Sequence, residues 1–355
     1  MKSWSFTALV LLACSGSSQL DAPLLDDAGN PILADGAIAA DGAIKLPDGA
    51  VITPDAATPF NPTTKVRIIV EPTDGGAAMV AAIKGATASV HMTMYLLTST
   101  EVINALVAQK KAGRDVKVVL NQNNTGSTNL SAYNTLKSAG VGVVWAPPNF
   151  NFTHEKTFTI DAKEAWIMTM NATQSSPTSN REYLAIDDEP ADVAEAEAIF
   201  QADFANKGIT PTGTLVVSPI NSRNDLVALA NLAKSTIDIE AEEMSDAAFV
   251  AALVAAEKRG VKVRVVLSDA PPLPMQPVAV ANLKQAGASV VQLSNPYMHA
   301  KSMAVDGTYA FVGSENFSAG SLGYNREVGV IFGGVSEVAK VQSTTAKDFA
   351  AGTPL

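Results

Sequence analysis

The chain has 355 residues, 47% of them hydrophobic and only 6% aromatic, which is enough apolar content for a large core and two domains of ordinary size, and excludes a disordered or fibrous protein. The formal charge of -10 is unevenly placed: residues 19–60 carry seven Asp against one Lys, while residues 61–355 carry 28 acids against 23 bases. A surface that grips a long polyphosphate backbone is usually basic, because affinity comes from neutralising phosphates and releasing counterions, so extended nucleic-acid binding is disfavoured.

In chain order, the first element is Lys2 followed by the apolar "FTALVLLA" and "LLACSGSS", a short signal-peptide core too brief to span a membrane in the mature protein. Cys14 is the only cysteine, so no disulfide forms within the chain. "Leu-Leu-Ala-Cys" resembles a bacterial lipoprotein lipobox, which implies export to the cell envelope and lipidation at Cys14; the alternative is an ordinary signal peptide with an incidental cysteine. Residues 15–63 are rich in Ala, Asp, Gly and Pro, with Asp-Gly-Ala at 35, 41 and 48, and read as a flexible tether. A calcium-binding repeat is the weaker reading, since the acids are widely spaced and no glutamate closes a loop.

From residue 66 the chain repeats itself once at offsets of 145 to 147: "ASVHMTMYLLTSTEVINALVAQKKAGRDVKVVL" is answered by "STIDIEAEEMSDAAFVAALVAAEKRGVKVRVVL", and "NREYLAI" by "NREVGVI". Within each copy, Val/Ile-rich runs alternate with helical patterns such as "TEVINALVAQKKAG", which close on basic residues and glycine. This alternation predicts an α/β fold: two similar αβα sandwich domains with mixed sheets, 64–208 and 209–355, related by a pseudo-twofold axis.

Each copy carries His-x-Lys-x4-Asp near its end: His154, Lys156 and Asp161, then His299, Lys301 and Asp306. The chain holds three histidines and two of them stand in this arrangement, beyond what chance spacing gives; His91, whose counterpart is Asp238, reads as a structural residue. "FTHEKTFTID" itself alternates like one half-buried strand, with Phe152, His154, Lys156, Phe158 and Ile160 on a common face. The strands that follow offer Thr169 and Asn171 in the first copy and Ser314 and Asn316 in the second, at equal distances from their aspartates. Two imidazoles, two ammoniums and two amides suit a phosphodiester. Lysines and amide donors neutralise its non-bridging oxygens, one imidazole attacks phosphorus, and the other serves the leaving and entering oxygens, with no metal or other cofactor required. Glu182 and Glu327, in the two Asn-Arg-Glu segments, are candidates to orient the imidazoles; the bland alternative pairs them with the adjacent arginines. "EAEEM" at 240–244 reads as a strand end facing solvent or the cleft more readily than as a metal site.

On these residues the chain resembles the phospholipase D superfamily, with two HKD motifs over roughly residues 64–350. The second motif is complete through "GSEN", whereas in the first Met168 stands where the family has Gly. The resemblance implies that His154 is the nucleophile and forms a phosphohistidine, and that His299 is the general acid and base. It further implies that support runs crosswise, Glu327 to His154 and Glu182 to His299, and that Asp161 and Asp306 are structural. The acidic body, the lipobox and two apolar loops, "WAPPNFNF" and "DAPPLPMQP", favour a phospholipid substrate over nucleic acid; the loops either border the cleft or pack on themselves. The expectation is therefore a lipid-anchored, metal-independent phosphodiesterase that hydrolyses or exchanges a phospholipid head group, with no obligate protein partner. The alternatives are an envelope endonuclease and a non-catalytic phosphodiester-binding lipoprotein.

Overall fold

The computed structural model describes residues 60–272 and 274–355, together with the backbone of 44–45 and 51–52. Cys14 with its lipobox, and the expected tether apart from that short antiparallel pair, Ile44–Lys45 with Val51–Ile52, and its last residues 60–63, lie outside the described residues; at that end Phe60 and Thr63 are buried and Thr63 bridges Phe332, so the folded part begins a few residues before 64.

The helical patterns become helices at the expected places. Thr100–Lys111 starts where the Ser99 hydroxyl accepts from Val102 N–H, and Ala247–Lys258 starts where the Asp246 carboxylate accepts from Phe249 N–H. Both end at glycines in left-handed backbone, Gly113 at φ 85° and Gly260 at φ 90°, a conformation that costs a residue with a Cβ.

Among the described residues the Val/Ile-rich runs form two eight-stranded mixed sheets. In the first, Lys156–Ile160 lies antiparallel between Ser89–Met94 and Glu164–Met168, and Asn180–Asp187 follows beyond Glu164–Met168. In the second, Lys301–Val305 lies in the same way between Thr236–Ala241 and Tyr309–Gly313, with Glu327–Phe332 beyond. Each sheet buries one face under helices of its own half: Met79, Leu106 and Leu136 cover Val90, Met92 and Val118, and Leu226, Phe249 and Leu253 cover Ile237, Ile239 and Val265. A third core joins the halves, with Val193, Ile199, Val338 and Val341 from the helices Pro190–Phe204 and Val335–Ala351 packed among strands of both.

The halves also exchange backbone. Tyr297–Met298, the residues before His299, pair in parallel with Asn180–Arg181 of the first sheet. Thr153, before His154, bridges Arg326, whose carbonyl accepts the N–H groups of His154 and Glu155 at 2.9 and 3.0 Å. The strand expected over the whole of 152–160 is therefore shorter. It begins at Lys156, because the preceding residues spend their hydrogen bonds on the other half. Nor is it half-buried, since both faces are covered and all five residues are buried.

Candidate active site

Lys156 and Lys301 stand at the first position of their strands and are 1% and 0% exposed. Burying an ammonium costs several kcal/mol unless it is paired or held for a ligand, so each lysine is anchored in the same way, donating from Nζ to the carbonyl of the histidine two residues back at 2.6 Å. Above them the imidazoles reach the cleft, with His154 and His299 side chains 11% and 10% exposed.

The glutamates arrive crosswise. His154 Nδ1 lies 2.8 Å from Oε2 of Glu327, and His299 Nδ1 lies 2.8 Å from Oε1 of Glu182. The first contact is an aligned hydrogen bond; the second is as close, but its oxygen lies off the ring N–H direction, so it acts as an ion contact. Both carboxylates are fully buried and braced by their own motif, Glu182 by Asn180 Nδ2 at 3.0 Å and Glu327 by Asn325 Nδ2 at 3.1 Å. Burial works to raise both carboxyls, but the facing histidine and lysine charges prevail and hold them below the usual carboxylate range. Burial pulls His154 below the ordinary imidazole value against the pull of Glu327, and it lowers Lys156 to about 7.

The adjacent arginines do not pair with these glutamates. Arg181 forms a two-pronged bridge to Asp348 at 2.5 and 2.9 Å, and Arg326 does the same to Asp203 at 2.9 and 3.3 Å. Each bridge joins the halves at the root of a glutamate strand.

The remaining expected residues divide. Asp161 and Asp306 turn away from the cleft. The Asp161 carboxylate accepts the N–H groups of Thr87, Ala88 and Ser89, and Asp306 accepts those of Lys234, Ser235 and Thr236, pinning the start of the neighbouring strand in each half. Asn171 and Asn316 are nearly buried, and each leaves its Oδ1 without a partner, an unmet demand that a ligand can satisfy. Thr169 and Ser314, expected at the phosphate, are both fully buried, with hydroxyls engaged by the glutamate strands. Thr169 Oγ1 donates to Glu182 at 2.5 Å, and Ser314 Oγ accepts from Val328 N–H at 3.1 Å. A hydroxyl adjoining the glutamate strand is drawn to that strand's polar groups.

Met168 does not reach the cleft either. It is buried among Met92, Leu136 and Leu184 on the helix-covered face, opposite Leu184 in the ladder. The equivalent pair in the second half is Gly313 with Gly329, and there a Cβ on Gly313 would fall 2.7 Å from Phe311 and 2.2 Å from Glu315. Glycine is thus required where Phe311 and Glu315 crowd in, whereas in the first half Trp166 and Met170 stand at those positions and Met168 packs in the same core.

Two neighbours were not singled out from the sequence. The Tyr95 ring stands edge-on to His154 with centroids 4.5 Å apart, and Lys156 Nζ lies 5.1 Å from its centre. Glu242 Oε2 accepts from Lys301 Nζ at 2.6 Å and lies 3.5 Å from His299 Nε2. In the repeat alignment Tyr95 and Glu242 occupy the same position, 147 apart, and that equivalence was the available signal. Of the other acids in "EAEEM", Glu240 is taken by the Tyr183 hydroxyl at 2.5 Å. Of the two apolar loops, the first borders the site, since Phe152 packs edge-on against Tyr95 at 6.1 Å.

The family described as cardiolipin synthase, PLD-like domain, matches residues 79–204 and 226–349. Cardiolipin synthase of Listeria monocytogenes serotype 4a (strain HCC23) is 25% identical over 347 residues, covering 85% of this chain and 70% of that protein. Minor cardiolipin synthase ClsB of Bacillus subtilis (strain 168) is 24% identical over 308 residues, covering 76% of this chain and 77% of that one. Among solved structures, phosphatidylserine synthase of Haemophilus influenzae Rd KW20 superposes with a TM-score of 0.64 at 11% identity, over 83% of this chain and 88% of that chain. Polyphosphate kinase of Porphyromonas gingivalis superposes with a TM-score of 0.61 at 16% identity, over 79% of this chain, which spans 50% of that protein. At these identities the structural likeness speaks for the fold.

Proposed function

The chain belongs to the phospholipase D superfamily, as a duplicated protein of the cardiolipin synthase, PLD-like domain family, and from that premise we propose that it transfers or hydrolyses the head group of a phospholipid through a phosphohistidine. The observation that carries the reading is the crossed pairing of His154 with Glu327 and His299 with Glu182, each beside a buried lysine. With its Nδ1 proton held toward Glu327, His154 presents the Nε2 lone pair to phosphorus. The His154–P bond forms as the P–O bond to the leaving alcohol breaks, and the leaving oxygen takes the proton of His299 Nε2. His299, now neutral, accepts the proton of an incoming water or alcohol whose oxygen attacks phosphorus, and the His154–P bond breaks. Lys156, Lys301, Asn171 and Asn316 hold the non-bridging oxygens. The names of the curated relatives support a phospholipid as the substrate. Lipidation at Cys14 and residence in the cell envelope belong to the same proposal; mass spectrometry of membrane-expressed wild type and Cys14→Ser would detect the loss of an acyl-glyceryl adduct.

The test incubates the purified full-length chain, with EDTA present, with phosphatidylglycerol, phosphatidylcholine, single-stranded DNA and a chromogenic diester. Phosphatidic acid is expected when water accepts, and a diphosphatidyl product when a second lipid does. Cleavage of DNA alone would replace the lipid by nucleic acid, and no turnover of any diester would leave a binding protein. A second expectation is that rapid quenching traps phosphate on His154, and that His154→Ala forms no phosphoenzyme.

A further inference from the structure

The two half-sites are built from equivalent histidines, lysines, amides and glutamates, and differ where Tyr95 and Phe152 of the first half are answered by Glu242 and Tyr297 of the second. The neighbours of each histidine differ accordingly. His154 has Glu327 at Nδ1, the Tyr95 ring at its edge, and Lys156 and Lys301 as its nearest cations. His299 stands between two carboxylates, Glu182 at 2.8 Å from Nδ1 and Glu242 at 3.5 Å from Nε2, with Lys301 bonded to Glu242 at 2.6 Å. Glu242 is not free to swing away, because its second oxygen accepts from the Tyr297 hydroxyl at 3.3 Å.

We infer that Glu242 breaks the equivalence of the two histidines, holding His299 as the proton donor and leaving His154 as the nucleophile. The inference rests on the proposed function and supplies the cause of its division of labour. An imidazole flanked by carboxylates on both ring nitrogens is stabilised with both protons in place, whereas one flanked by a single carboxylate and an aromatic ring keeps its second nitrogen as a lone pair. Burial favours the neutral form of His154, as a nucleophile needs. Burial also works to raise Glu242, but His299 and Lys301 outweigh it and keep the carboxyl well below the usual carboxylate range, so it is charged at neutral pH. His154, Lys156, the Tyr297 hydroxyl and the adjacent Glu243 are further titratable groups in its field. Because Glu242 also neutralises Lys301, while among the described residues Lys156 joins no ion pair, the uncompensated ammonium lies on the nucleophile's side, where the phosphoryl group must sit. Glu242 is thus a positioning residue that acts through His299.

Imidazole 15N NMR of the full chain tests this without requiring turnover, since the protein has three histidines, assignable with His91→Asn and His154→Ala. In Glu242→Gln the doubly protonated 15N signature of His299 at a fixed neutral pH is expected to weaken several-fold while that of His154 changes less. Glu242→Tyr, which gives the second half the neighbour of the first, should act in the same direction and serves as the second variant if Glu242→Gln is unstable. On the chromogenic diester, the alkaline limb of kcat/KM, to which Lys156 also contributes, should move to lower pH in the variant as the carboxylate beside His299 is lost. KM at pH 6 should fall, because Lys301 is released to the phosphate, and a merely structural role would not produce that pairing. An unchanged His299 signature in a folded variant overturns the inference. If that signature weakens as expected while the wild type turns over no diester, the charge coupling stands and the functional reading falls, so the two failures are distinguishable.

Discussion

At the scale of single residues, the site is a set of buried charges whose costs are met by neighbours of known identity. Lys156 is the sharpest case. Burial lowers it to about 7 from the ordinary lysine value of 10.5, so the free enzyme loses this cation as the pH rises through that value, and kcat/KM for a diester should decline above about pH 7. Lys156→Gln is expected to lose about 10²–10³ in kcat and to show a flatter profile in that window. Glu155 gives a prediction for stability. It is buried with one oxygen unpartnered, and burial followed by the nearby Asp203 raises it from 4.5 to about 8. The folded state therefore binds more protons than the unfolded chain between pH 4.5 and 8, and stability falls as the pH rises through that range. Glu155→Gln should flatten the dependence, measured as Tm at pH 5 and pH 8. The histidines, lysines and glutamates were legible in the sequence because duplication marked them twice. The partners of the Thr169 and Ser314 hydroxyls were not legible, because spacing along a strand does not say which polar neighbour claims a hydroxyl. Glu242 hid because duplication highlights what is repeated, and its importance lies in not being repeated.

Among the elements, legibility followed local chemistry. Helices with a cap at one end and a left-handed glycine at the other stood where their periodicity put them. The histidine strand did not, because alternation along "FTHEKTFTID" reports side-chain type and not whether the second face is covered. The Gly313–Gly329 pair carries the prediction at this scale. A Cβ on Gly329 would lie 2.3 Å from the Phe311 ring and 2.8 Å from Glu315, so Gly329→Ala should destabilise the second half by about 1–3 kcal/mol through overpacking. Chemical denaturation would register it, and an unchanged midpoint would mean that Phe311 moves aside at no cost.

For the whole molecule, the halves are fastened by matched bridges, Arg181 to Asp348 and Arg326 to Asp203, each from a glutamate strand of one half to a helix of the other. Arg326 is 3% exposed, so Asp203→Asn would strand a buried guanidinium and is expected to cost about 3–5 kcal/mol in urea unfolding. The same change should reduce turnover, since the Arg326 carbonyl holds the His154 backbone. The exchange of backbone between halves, in which Tyr297–Met298 enters the first sheet and Thr153 bridges Arg326, carries one consequence more. Each half supplies the seat of the other's histidine, so neither is sufficient alone. A chain cut in the connection between Phe204 and Val216 would yield two inert fragments whose mixture regains activity in proportion to the product of their concentrations, a natural split enzyme.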